Sequence, residues 1–232
     1  MLEDTTIVFD LDGTLIDTAP DLTNALNHEL ARADQAPVSA ATVRSLVGQG
    51  ARVMIEEGLR QAGVVGDLDA LLGDFLIHYE ANIAAESRPF PGAVAALDRL
   101  AAEGARLAVC TNKRESLSRR LLQELELERY FGAIAGRNTF PVAKPDPGHL
   151  TGTIGLAGGD PTRAVMIGDS GIDLMAAKAA SVPMVMVSFG YASEAVPGAT
   201  PEAVIDHFDE LHASLISLVR NGAAYRLGAQ RA

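Results

Sequence analysis

Six short apolar runs recur along the chain, and each stops at a polar residue or a glycine. They are residues 5–11, Arg106 to Cys110, Ala133 to Ala135, Ala164 to Ile167, Met184 to Val187 and Ala203 to Ile205. Short continuous runs with β-branched residues and an abrupt polar end are how buried parallel strands read. Between them lie segments with helical spacing. Val94 to Glu103 carries Val94, Leu97 and Leu100, Ser116 to Leu127 carries Leu117, Leu121, Leu122 and Leu125, and Asp173 to Ala180 carries Leu174, Met175 and Ala179. Alternation of strand and helix from residue 90 onward predicts βαβ units and a parallel sheet.

Residues 18–86 break that alternation. They hold amphipathic segments at Asp21 to Ala33, Ala40 to Leu46, Ala51 to Ala62 and Leu68 to Ala84, separated by Gly48, Gly50, Gly63 and Gly66. This predicts an all-helical domain (18–86) inserted into an α/β core made of 1–17 and 87–232. The connections at Ile16 to Ala19 and Ser87 to Pro91 would be hinges, with Pro89, Pro91 and Gly92 marking the second boundary. The stretch after Arg220 is polar and is expected to fray.

Composition narrows the partners. Nineteen Lys plus Arg against 30 Asp plus Glu give a net charge of −11. A surface of that sign repels nucleic-acid backbones and anionic lipid, so neither is an expected partner. The single cysteine, Cys110, lies inside an apolar run and reads as a core residue; it can form no internal disulfide. The opening Met1-Leu2-Glu3-Asp4 is acidic where a signal peptide is basic, and no apolar run approaches the roughly 20 residues that span a bilayer. The expected location is cytoplasmic. The charge does not exclude a small phosphorylated substrate, because a local cation can invert the field inside a pocket.

Parallel sheets bind ligands beyond the carboxyl ends of their strands. There the sequence places Asp10-Leu11-Asp12-Gly13-Thr14, Thr111-Asn112-Lys113, Lys144-Pro145-Asp146-Pro147, and Gly168-Asp169-Ser170 with Asp173 following. All the strongly polar clusters fall on one rim. Asp10, Asp12 and Asp169 would converge, and close carboxylates repel unless a positive group sits among them. The ligands are all oxygen, which selects a hard cation, Mg²⁺ first. Carboxylates, Mg²⁺ and Lys144 together make a phosphate site.

In order and spacing these clusters resemble the four motifs of haloacid dehalogenase superfamily phosphatases that carry a helical cap. The resemblance covers roughly residues 5–210. Asp10 to Thr18 matches the first motif, Thr111 the second, Lys144 the third, and Gly168 to Asp173 the fourth. Within the superfamily the chain is most similar to phosphoglycolate phosphatases, through Asp17-Thr18-Ala19-Pro20-Asp21-Leu22, Val47-Gly48-Gln49-Gly50, Phe90-Pro91-Gly92, Asn138-Thr139-Phe140-Pro141 and Ser188-Phe189-Gly190-Tyr191. Related phosphatases for pyrophosphate, sugar phosphates or nucleotides share several of these stretches. His149 departs from the group's usual residue and is expected on a helix surface.

The resemblance implies a doubly wound, Rossmann-like core and a cytoplasmic Mg²⁺-dependent phosphomonoesterase, monomer or homodimer, acting on 2-phosphoglycolate through an aspartyl-phosphate. It makes Asp10 the nucleophile and Asp12 the acid and base. It gives Mg²⁺ to Asp10, Asp169 and the Asp12 main-chain carbonyl, with Asp173 supporting the metal directly or through water. It gives the phosphoryl oxygens to Thr111, Asn112 and Lys144. Arg52, next to Gly48-Gln49-Gly50, would meet a substrate carboxylate. A 2-haloacid dehalogenase needs neither Asp12 nor the acidic fourth motif. A phosphosugar mutase resembles the first motif with valine where Thr14 stands. A non-enzymatic module would need no complete set of motif residues.

Overall fold

In the computed structural model the described residues are 2–47, 51–61, 63, 68–191 and 196–229. The core is one six-stranded sheet. Its strands are β1 (Thr6–Phe9), β4 (Arg106–Cys110), β5 (Ala133–Ala135), β6 (Ala164–Gly168), β7 (Met184–Val187) and β8 (Ala203–Ile205), numbered in chain order with a ribbon of two further strands, β2 (Ile16–Asp17) and β3 (Arg88–Pro89). The sheet order is β5-β4-β1-β6-β7-β8, and every pairing in it is parallel. β1 is fully buried, as expected of an apolar strand covered on both faces. Its neighbours β4 and β6 lead in opposite directions across the sheet, so a crevice opens at the carboxyl end of β1.

The fold class is that of the sequence expectation. Among the described residues four helices, α1 (Ala19–Arg32), α2 (Ala40–Arg44), α3 (Ala51–Gln61) and α4 (Leu68–Ala81), lie between β2 and β3. Helices α5 (Ala93–Ala102), α6 (Glu115–Glu124), α7 (Pro147–Leu156), α8 (Gly171–Ala179) and α9 (Leu211–Ala229) alternate with the sheet strands or follow them. Helix α9 continues past Arg220, where fraying was expected; Ala, Leu, Tyr and Arg there are compatible with a helix. Helix α7 carries three glycines and has little intrinsic preference for its state. It forms because the Asp146 side chain accepts the Gly148 N–H at 2.8 Å, Pro147 opens the first turn, and Leu150 and Ile154 are buried one turn apart.

The helical segment is joined to the sheet by a clasp. β2 and β3 pair antiparallel, Ile16 with Pro89 and Asp17 with Arg88. Beside them the buried Asp21 carboxylate accepts the Ser87 hydroxyl at 2.7 Å, the Ser87 N–H at 2.8 Å and the Glu86 N–H at 3.0 Å. One side chain near the start of α1 thereby fixes the returning strand. Asp21→Ala strands these donors in a buried place, at a cost on the order of 3 kcal/mol. Denaturant unfolding should show that loss, and a change under about 1 kcal/mol would mean that water replaces the carboxylate.

Candidate active site

The Asp10 N–H donates to the Ile167 carbonyl at 2.9 Å, which carries the β1–β6 ladder one residue past the strand. Asp10 therefore emerges at the rim, in the crevice. Its Oδ1 accepts the Leu11 N–H at 2.7 Å and pairs with the Lys144 ammonium at 2.9 Å. Among the described residues Oδ2 of Asp10 accepts no hydrogen bond. Lys144 also pairs with Asp173 Oδ1 at 2.6 Å, and both partners are buried. Asp173 Oδ2 accepts the Ser170 hydroxyl at 2.6 Å, while Ser170 Oγ accepts the Asp173 N–H, so Asp173 caps α8 and holds Lys144 at once.

Asp169 completes the group. Its Oδ1 accepts the Thr14 hydroxyl at 2.9 Å and its Oδ2 the Tyr191 N–H at 2.8 Å. Thr14 thus has a structural use that its place in the first motif did not disclose. Gly13 has φ +80°, and a Cβ there would lie 2.6 Å from Asp169 Oδ2, so only glycine lets the loop pass over this carboxylate.

Asp10, Asp169 and Asp173 each offer a carboxylate oxygen, all within 4.8 Å of one another and all buried. The expected convergence of Asp10, Asp12 and Asp169 is corrected here, because the Asp12 side chain belongs to a different network. Its Oδ1 accepts the Thr18 hydroxyl at 2.7 Å and the Lys113 ammonium at 2.9 Å. Lys113 in turn donates to the Tyr79 hydroxyl at 2.8 Å, and that tyrosine comes from α4. Tyr79 is buried and its own ionisation is pushed up to about 12, chiefly by that burial. Lys113 was not singled out in the sequence, because its partners lie 34 and 101 residues away.

Burial pushes the Asp10 carboxyl up. Lys144 pulls it down, and Asp173 and Asp169 push it further up. For Lys144 burial opposes the charge, but the Asp10 and Asp173 carboxylates outweigh it, so the ammonium stays charged. Among the described residues, three buried carboxylates against one ammonium leave a negative excess. A divalent cation among the oxygens reverses the sign of the field at Asp10. The donor set, all hard oxygens, fits such an ion.

Asp10 and Asp12 face a cavity of about 300 Å³. Thr111, Asn112 and Lys113 from the end of β4 line it, and α1, α3 and α4 contribute Leu22, Met54, Phe75 and Leu76. Thr111 Oγ1 accepts the Lys113 N–H at 3.1 Å, which leaves the hydroxyl proton for another acceptor. Asn112 Nδ2 donates to the Lys144 carbonyl at 3.0 Å and ties the second cluster to the third. Arg52 lines the cavity and forms an ion pair with Asp69 of α4. Gly48, Gln49 and Gly50 lie outside the described residues.

His149 is buried, which corrects its expected place on a helix surface. Its Nδ1 accepts the Lys144 N–H at 3.2 Å and its Nε2 lies 3.1 Å from the Gly136 carbonyl, a pairing that assigns the neutral tautomer with the proton on Nε2. The ring holds the Lys144 backbone in place. Cys110, also buried, sits in the strand below, as its apolar surroundings implied.

Residues 7–187 match the haloacid dehalogenase-like hydrolase family. The chain belongs to that family. It is 50% identical to a phosphoglycolate phosphatase of Mesorhizobium japonicum over 222 residues, 94% of this chain and 98% of that one. It is 48% identical to the phosphoglycolate phosphatase of Agrobacterium fabrum, over 94% of this chain and 95% of that one. A crystal structure from Haemophilus somnus 129PT, described as a predicted phosphoglycolate phosphatase, superposes with a TM-score of 0.84 at 27% identity and covers 92% of this chain and 98% of its own. The protein is accordingly an enzyme, a hydrolase of this family. None of the helices among the described residues is long and apolar enough to cross a membrane.

Burial and the Lys144 charge lower the His149 pKa to about 4. The folded state then binds the proton less well than the unfolded chain, whose histidine titrates near 6.5. Stability from this group is complete above about 6.5 and declines as pH falls toward 4. His149→Asn should flatten that part of the pH–stability curve; an identical slope in both proteins would show that other groups control it.

Proposed function

We propose that the enzyme hydrolyses small phosphomonoesters, 2-phosphoglycolate foremost, with Mg²⁺ held by Asp10, Asp169 and Asp173 and, through its carbonyl, Asp12. The observation that carries this reading is the buried Asp10–Asp169–Asp173–Lys144 cluster bordering a small cavity that Asp10 shares with Asp12. The relatives named as phosphoglycolate phosphatases support 2-phosphoglycolate as the substrate. Held there, the cation would supply positive charge to offset the phosphoryl group.

In the first step Asp10 Oδ2 bonds to phosphorus as the ester P–O bond breaks. Asp12 gives its proton to the departing alkoxide. In the second step water loses a proton to Asp12 and attacks the aspartyl-phosphate, which frees inorganic phosphate and restores Asp10. Thr111 Oγ and the Asn112 N–H donate to phosphoryl oxygens, and Lys144 offsets charge on Asp10 and the phosphoryl group. Most of the rate enhancement of phosphoryl transfer comes from positioning and electrostatics, which this set provides.

Helices α1 to α4 serve as a cap, residues 18–86, over the core of 1–17 and 87–232. A cavity of about 300 Å³ beneath them suits a small substrate and leaves no room for a polymer. The site sits in a soluble, cytoplasmic protein whose acidic surface turns away nucleic acid and anionic membranes.

Phosphate release across a panel of phosphomonoesters, with Mg²⁺ and with EDTA, tests the reading. The kcat/KM for 2-phosphoglycolate should exceed every other member by at least about tenfold, and EDTA should abolish turnover. A flat profile, or a preference for a hexose phosphate or nucleotide, removes phosphoglycolate and leaves the chemistry. Asp10→Asn should leave no activity in a folded protein; retention of more than a few per cent contradicts the nucleophile. Asp12→Asn should lower kcat by about 10²–10⁴-fold, the usual worth of a positioned acid–base group.

A further inference from the structure

Among the described residues four cations line the cavity, and they differ in one respect. Arg52, Arg114 and Arg137 are substantially exposed, and Arg52 is engaged by Asp69. The Lys113 side chain is almost fully buried, at 7% exposure. An ammonium carries three donors. Asp12 Oδ1 takes one at 2.9 Å and Tyr79 OH takes another at 2.8 Å. Among the described residues the third has no partner.

The location of Lys113 is set by two elements. Its backbone is fixed at the end of β4, where the Lys113 carbonyl accepts the Arg137 N–H at 2.8 Å. That approach needs Gly136, since a Cβ there would lie 2.2 Å from the Glu115 nitrogen. Its ammonium is fixed by α4 through Tyr79, whose ring also lies 4.6 Å from the nitrogen and stacks on Phe75. Phe75 and Leu76 of the same helix form apolar wall beside it. A charge held there, away from bulk water, binds an anion strongly.

We propose that Lys113 reads a second anionic group on the substrate, a carboxylate borne by the carbon next to the ester oxygen. This rests on the phosphatase reading above, in which Asp12 addresses that ester oxygen. The Lys113 nitrogen lies one hydrogen-bond length beyond Asp12 Oδ1. A carboxylate two bonds from the ester oxygen reaches the same neighbourhood, and its oxygen accepts the third donor. Alcohol phosphates without a carboxylate leave that donor unmatched in a buried place, which penalises them. Lys113 is thus a specificity residue for 2-phospho-hydroxy acids as a class, and Tyr79 positions it. A lysine that only clamps α4 to the core would hold Asp12 equally for every substrate.

The test compares 2-phosphoglycolate with its carboxamide, a phosphate ester of the same shape whose second group is uncharged. Wild-type enzyme should prefer the carboxylate by about thirtyfold in kcat/KM, within reach of one buried charge-assisted hydrogen bond. In Lys113→Met that ratio should fall to about three or less, whatever happens to the two rates separately. A ratio that persists in the variant overturns the proposal. So does a wild-type ratio near one with both esters hydrolysed, and the phosphatase reading survives that result. Absence of turnover with any phosphomonoester defeats that reading and the inference together. Should the variant not fold, wild-type enzyme turning over p-nitrophenyl phosphate serves instead. Glycolate should inhibit competitively and glycolamide should not; equal inhibition by the two overturns the proposal.

Discussion

Lys144 pairs with Asp10 and Asp173 at the carboxyl edge of the sheet, and Asp169 lies within reach of both carboxylates. Charges buried this closely are costly unless each is paired and hydrogen-bonded. Much of the surrounding structure meets that condition. Ser170 and the first turn of α8 satisfy Asp173, Thr14 and the Tyr191 N–H satisfy Asp169, and the Leu11 N–H satisfies Asp10. Lys144 is presented by a loop whose backbone is held by His149 and Asn112. Among the described residues three buried carboxylates face one ammonium, an excess of negative charge that a hard divalent cation would offset.

The parallel topology explains how residues so far apart in sequence meet. Strands β1, β4 and β6 are adjacent and end together, so the residues after them share one rim. Helices α1 to α4 lie between β1 and β4 in the chain, and α1, α3 and α4 contribute the opposite wall of the cavity. The Asp12–Lys113–Tyr79 chain then connects that wall to the carboxylate assigned to proton transfer. Recognition and proton transfer would share one hydrogen-bonded network.

Much of this was legible in the residues. The six sheet strands were marked by apolar runs, and the sequence boundaries of β4, β5, β7 and β8 match the structure. Asp10, Asp169, Asp173 and Lys144 were legible because each follows a strand that can be recognised. The β2–β3 ribbon was not, since two residues per strand carry no periodicity. Helix α7 was hidden by its glycines and is imposed by capping and burial of Leu150 and Ile154. The roles of Lys113 and His149 depend on partners outside their own sequence neighbourhood or on burial that no local pattern announces. Asp12 follows the same strand as Asp10 at the rim, but Thr18 and Lys113 draw its side chain away from the other carboxylates.

The central claim is that the buried Asp10, Asp169 and Asp173 carboxylates are incomplete without a cation. Calorimetric titration of Mg²⁺ at neutral pH measures this directly. The account predicts one Mg²⁺ per chain and loss of the site in Asp169→Asn. Absence of binding heat, or binding that survives Asp169→Asn undiminished, would contradict it.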